Sequence, residues 1–188
     1  MVNLLTKNYT FEEYLNYHDD TDDKYELVNG ELKVIPIASG LHALILCLIF
    51  NILEAEIDRL QQQWKAMPGT VGVRTAQNKS RIPDIVVLTS QQCEEIKQMT
   101  TAVLQSPTLL AVEIVSPGNP EDDYRYKRSE YAVREIPEYW IIDPEKNKVS
   151  VLLLISGFYD LTEYQADESI QSSLFPNLQL TVNQILQA

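Results

Sequence analysis

Leu109-Leu110-Ala111-Val112-Glu113-Ile114-Val115 holds six apolar residues and one glutamate. A run this short, apolar and bounded by Pro107 and Pro117, reads as a buried central strand rather than a helix. Glu113 is the informative residue in it. Burying an ionised carboxylate without a partner costs several kcal/mol, so a glutamate there implies a cation, a metal, or a cleft that opens beside the strand. Side-chain alternation leaves a plainer alternative, in which Glu113 lies on a wetter face at one end of the sheet.

Working outward, Pro83-Asp84-Ile85-Val86-Val87-Leu88 repeats the pattern of a single acid beside an apolar strand. Aspartate is common where a turn enters a strand. Two strands of one sheet, each with one acid, can nevertheless place two carboxylates side by side, and these repel unless a divalent cation lies between them. Hard oxygen ligands select Mg²⁺ or Mn²⁺ over zinc. Beyond Glu113, the four-residue steps of Asp123, Lys127 and Tyr131 put all three side chains on one helical face. A solvated helix with ion pairs has the same spacing, but here Lys127 could reach back over the end of the Glu113 strand. An ammonium there would neutralise charge developing on a phosphate. Glu26, in Tyr25-Glu26-Leu27-Val28-Asn29-Gly30, is either an exposed strand residue or an outer acid of the same site. His42 reads as a capping or packing residue, and Glu138 to Asp143 as a core strand with aromatic packing.

The remaining pattern is continuously α/β. Thr10 and Glu13 form a capping box ahead of Phe11-Glu12-Glu13-Tyr14-Leu15. Lys24 to Val28 and Glu31 to Ile35 flank Asn29-Gly30, which suits a type I′ hairpin turn. Ser39 can cap a long helix to about Trp64, apolar almost all round in its first half and therefore expected at the centre of the core. Runs at Gly69 to Thr75, Asp84 to Thr89 and Leu109 to Val115 are expected to share one sheet. Helices are expected at about Gln91 to Thr100, Asp122 to Arg134 and from Thr181, with strands at Lys148 to Ile155 and Tyr159 to Tyr164.

At 188 residues the chain has the length of one domain, and a 45% hydrophobic, 22% charged composition is that of a soluble globular protein. Cys47 and Cys93 lack zinc-ligand spacing and read as reduced, buried thiols. The apolar stretch from Leu41 to Leu53 is too short to span a bilayer, which takes about 20 residues. Without a charged-then-apolar leader in Met1 to Tyr14, a cytoplasmic location without membrane contact is expected. Fifteen Lys and Arg against 27 Asp and Glu give a net charge of −12, which argues against a sequence-independent grip on nucleic acid.

In order and spacing, YELVNGEL (Tyr25–Leu32), His42 at a helix start, PDIVVL (Pro83–Leu88), VEIVSP (Val112–Pro117), the Asp123/Lys127/Tyr131 helix and EYWIIDP (Glu138–Pro144) resemble the putative restriction endonuclease family of bacteria. That family is a branch of the PD-(D/E)xK nuclease superfamily, and the resemblance covers most of the chain. It implies a restriction-endonuclease-like α/β fold, with a mixed central β-sheet flanked by helices and preceded by an N-terminal helix and β-hairpin, in one domain over residues 1–188. The family's metal acids fall on Asp84 and Glu113 and its more distant acid on Glu26. The superfamily lysine belongs two residues after Glu113, where this chain has Val115, and the resemblance points to Lys127 on the next helix instead. The implied reaction is hydrolysis of DNA phosphodiester bonds by metal-activated water, with Mg²⁺ or Mn²⁺ as cofactor and Lys127 stabilising the charge.

DNA would have to be held by a local cleft, with Lys79, Arg81, Arg125 and Arg128 as candidate phosphate contacts. A homodimer could line up two such clefts, and the Leu41 to Leu53 helix suits a dimer interface or a buried core equally. The rival function is a catalytically inactive nuclease-fold protein serving as an interaction or regulatory module, which the acidic charge and Val115 would suit. An acid–base hydrolase acting on another substrate through Glu113 and Asp84 lacks a nucleophile motif and ranks last.

Overall fold

The computed structural model describes residues 7–188; Met1 to Thr6, part of the stretch read for an export leader, lie outside it. The central sheet is built from β3 (Lys65–Pro68), β6 (Ile85–Leu88), β8 (Leu110–Ile114), β9 (Glu138–Asp143), β10 (Lys148–Ile155) and β11 (Phe158–Gln165). Its strand order is β11-β10-β9-β8-β6-β3. β8 and β9 run parallel and the other neighbours antiparallel, so the sheet is mixed, as expected.

Every residue of β8 is buried, as its apolar run predicts. Val112 and Ile114 pack on the face covered by α2 (Gly40–Arg59) and α5 (Val182–Leu186). Ala111 packs on the opposite face, with Tyr131 of α4 (Arg128–Val133). Alternation gives Glu113 the same face as Ala111, beneath a π-helix (Asp122–Lys127) that runs directly into α4. A four-residue gap in sequence thus becomes the vertical spacing that brings Asp123, Lys127 and Tyr131 over the end of β8.

A second sheet contains β1 (Tyr25–Val28), β2 (Glu31–Val34), β4 (Gly72–Ala76), β5 (Lys79–Arg81) and β7 (Val103–Leu104), ordered β2-β1-β5-β4-β7. It follows α1 (Phe11–Leu15), whose capping box forms as expected. Asn29 and Gly30 both take positive φ, 53° and 86°, which the hairpin turn requires. α3 (Ser90–Ile96) starts close to the expected Gln91, capped by Thr89, and ends short of Thr100, while α5 starts at Thr181 as expected.

Four expectations need correction. The long helix ends at Arg59, short of Trp64, because Gln61 turns into the left-handed region and Glu54 accepts the Ala66 N–H at 2.7 Å, drawing the chain back as β3. The run from Gly69 to Thr75 is not one strand of the central sheet. Gly69 is a turn residue with φ 51°, and β4 joins the second sheet. α2 is not buried all round either: only the stripe Ile45, Ile49, Leu53 and Ile57 is fully buried, with Leu46, Phe50 and Ile52 packing at its margins, while Leu44 is 56% exposed. Cys47 lies on that open side, so it is an exposed rather than a buried thiol.

Candidate active site

β1, β5, the first turn of α2, the end of β8 and the π-helix together line a cleft of about 920 Å³. Glu26, Asp84, Glu113 and Lys127 all face it. Pro83 closes the turn from the second sheet, and Asp84 then stands at the entrance to β6, where it spans two elements. Its Oδ2 accepts the Ile114 N–H at 2.7 Å, which ties it to the residue beside Glu113. Its Oδ1 lies 3.0 Å from Nε2 of His42, whose N–H is in turn received by the Ser39 cap.

Glu113 is 2% exposed, and both its oxygens are engaged. Oε1 accepts the Tyr131 hydroxyl at 2.6 Å, and Oε2 lies 2.8 Å from the Lys127 ammonium. Lys127 also meets Asp123 at 2.9 Å. Burial pushes the Glu113 carboxyl well above the ordinary range; Lys127 opposes this, while Asp123, Asp84 and Glu26 add to it. Burial likewise raises Asp123, against the pull of Lys127. Burial works against the Lys127 ammonium, but Glu113 and Asp123 outweigh it and hold the group firmly charged. One ammonium therefore serves Glu113 and Asp123 while Asp84 adds its charge beside them, an excess of negative charge that a cation would relieve.

Glu26 is held apart from this group. Its Oε2 accepts from Arg81 at 3.0 Å and its Oε1 from the Ile82 N–H at 2.9 Å. Arg81, expected among the phosphate contacts, is instead 2% exposed and fully committed. Its Nε and one terminal nitrogen grip Glu130 at 2.9 and 3.1 Å, and its other nitrogen bridges Glu26 and Asp122. Burial would raise the Glu130 carboxyl, but Arg81, with Lys79 and Thr75, outweighs it and lowers the group. Lys79 pairs with Glu130 at 2.9 Å in the same cleft. Arg128 donates to the Tyr159 carbonyl at 3.1 Å, and Arg125 is exposed; neither lines the cleft.

Among the described residues no three His, Cys, Asp or Glu side chains form a ready metal cage. Two carboxylates at a wet cleft nonetheless fit Mg²⁺, which is characteristically held by one or two carboxylates, waters and substrate phosphates. Sequence reading missed two partners here. His42 reaches Asp84 across 42 residues of chain, and the only available signal was the resemblance that marked His42. The Arg81 cluster gave no signal, because its acids are scattered through the sequence.

A family model described as "Uma2: Putative restriction endonuclease" matches residues 11–183. In structure the chain is similar to a crystal structure of "a putative nuclease belonging to DUF820" from Anabaena variabilis, with a TM-score of 0.78 and 18% sequence identity. That likeness covers 95% of this chain and 97% of the other, and it concerns the fold. No curated protein matches.

Proposed function

The chain belongs to the Uma2 family of putative restriction endonucleases, and from that premise we propose that it is a metal-dependent endonuclease hydrolysing DNA phosphodiester bonds. The observation that carries this reading is the meeting of Asp84, Glu113 and Lys127 in one cleft, with the ammonium delivered from the helix after β8. Asp84 and Glu113 would hold Mg²⁺ or Mn²⁺, and Glu26 would be the outer acid. Such a cation would lower the pKa of a water and draw charge from a phosphoryl oxygen. The chain's own residues do the rest. The Ile114 N–H and His42 fix the plane of the Asp84 carboxylate, and Tyr131 fixes Glu113. Lys127 keeps its proton and places positive charge where the phosphorane charge develops. Lys79 at the cleft, the exposed Arg125 and the half-buried Arg128 would meet DNA phosphates, leaving Arg81 as scaffold.

We assign the whole of residues 1–188 to one domain working in the cytoplasm. A second copy would dock on the open side of α2. That side carries no charged residue from Gly40 to Leu53, so it lets two molecules of charge −12 approach where their repulsion is least. Leu44→Glu should then leave a monomer in sedimentation velocity where wild type is a dimer; an unchanged sedimentation coefficient removes α2 as the dimer interface. The functional test is Mn²⁺ titration calorimetry on wild type, Asp84→Ala and Glu113→Ala, with plasmid nicking in the same buffer. Binding lost in both variants and metal-dependent nicking are expected. A wild type that neither binds the ion nor nicks, even with DNA present, favours the inactive interaction module instead.

A further inference from the structure

Resting on the nuclease reading above, we propose that Asp123 and Tyr131 are positioning residues of its centre, Asp123 fixing the Lys127 ammonium and Tyr131 fixing the Glu113 carboxylate. The four groups form one unbroken chain. Tyr131 donates to Glu113 at 2.6 Å, Glu113 meets Lys127 at 2.8 Å, and Lys127 meets Asp123 at 2.9 Å. All four are buried, with Tyr131 0% and Asp123 5% exposed.

Donor and acceptor counting shows what the chain leaves open. An ammonium has three donors, and two of them are spent on Glu113 and Asp123, so one remains for a phosphoryl oxygen. Each Glu113 oxygen uses one lone pair on Tyr131 or Lys127 and keeps another for a cation. Both reactive groups are thus oriented without being used up. Stability alone is a poor reason for such a network, because a buried ion pair is often matched or bettered by apolar residues of similar volume.

The backbone is arranged to the same end. Asp123 and Lys127 lie on the π-helix, a rare conformation that recurs at functional sites. Its first turn is pinned from below, since the Tyr139 hydroxyl donates to the Asp123 carbonyl at 3.0 Å. The Tyr139 ring also packs edge-on against Tyr131, with centroids 5.0 Å apart. One tyrosine therefore holds both ends of the device in register over β8.

The variants are Tyr131→Phe, which keeps the ring, and Asp123→Asn, which keeps the shape, with Asp123→Glu as the conservative control. In the ¹⁵N-labelled protein without metal, the Lys127 Nζ resonance should be protected from exchange, and Asp123→Asn should broaden or abolish it while Tyr131→Phe leaves it visible. Outer partners of this kind typically affect metal affinity or activity about 10–100-fold. A kcat loss of that order is expected in both main variants with KM for plasmid DNA unchanged, together with weaker Mn²⁺ binding in Tyr131→Phe. Asp123→Glu should recover part of kcat. The inference is overturned if wild type nicks DNA and both variants keep its kcat, Mn²⁺ affinity and Nζ resonance, or if losses only track the folded fraction by circular dichroism. A wild type that neither binds Mn²⁺ nor nicks overturns the nuclease reading, and the positioning roles with it.

Discussion

Arg81→Met removes the one cation shared by Glu26, Asp122 and Glu130 while keeping most of the stem's apolar volume. Breaking a buried ion pair by deleting one partner costs about 3–5 kcal/mol, because the remaining charge stays buried and unpaired. Arg81 is 2% exposed and makes four contacts of 2.9–3.1 Å, two of them the parallel fork on Glu130, so the full range applies. For a chain of this size 1 kcal/mol shifts Tm by about 2–4 °C, giving an expected fall of roughly 6–20 °C.

The loss also has a defined pH dependence. In the wild type Glu130 is held below its ordinary value, so its contribution is present above the unfolded pKa of about 4.3 and is lost as pH falls through the folded one. The variant lacks that contribution, and Glu130, left with Lys79 and Thr75, and Glu26, left with the Ile82 N–H, take up protons already above about pH 4.3. The stability gap should therefore be widest near pH 7 and narrow toward pH 5. Urea unfolding followed by tryptophan fluorescence measures it directly. A loss below about 1 kcal/mol, typical of an exposed pair, or a gap that widens on acidification, refutes the scaffold role.

Lys127→Ala should abolish plasmid nicking while leaving Mn²⁺ binding largely intact by calorimetry. Gly30→Ala should lower stability by about 1–2 kcal/mol in urea unfolding. Its φ of 86° disfavours any side chain, and the added Cβ would fall 1.8 Å from Asn8 Oδ1. Cys47 is exposed on the open side of α2, so in the monomeric Leu44→Glu variant a thiol reagent should titrate it well before Cys93, which is half-buried and whose thiol burial pushes up.

What the sequence made legible was local in origin. The apolar runs around Glu113 and Asp84 announce buried strands whatever the tertiary context, and the steps from Asp123 to Lys127 to Tyr131 follow from helical geometry alone. The hairpin and the helix caps at Thr10 and Ser39 rest on backbone preferences that act within four residues. Division into two sheets was not legible, because it turns on Gly69 ending one strand and starting another whose partner is Arg81. α2 was misread for a related reason. A helix apolar all round carries no periodicity to say which stripe faces inward, so Ile45 and Leu44 look alike until the sheet selects one. The Arg81 cluster joins Glu26, Asp122 and Glu130 across 41 to 55 residues of chain, and no spacing rule reaches that far.

The net charge of −12 and the proposed DNA substrate are reconciled by where the charge resides. Five Lys or Arg side chains and six carboxylates line the cleft, so it is negative by a single charge and most of the acidic excess lies elsewhere on the molecule. One divalent cation on Asp84 and Glu113 would turn that deficit into a net positive charge at the point where a phosphate must enter. Because counterion release scales with the phosphates neutralised, a protein this acidic would gain little from its outer surface and would depend on the loaded cleft. The ion would then serve two ends at once, admitting the DNA backbone and activating the water, and DNA affinity should fall when the ion is chelated. Gel-shift titrations of Asp84→Asn with and without Mn²⁺ separate the two. Binding that is insensitive to the ion in wild type would mean that the Lys and Arg side chains of this cleft admit the DNA backbone without it.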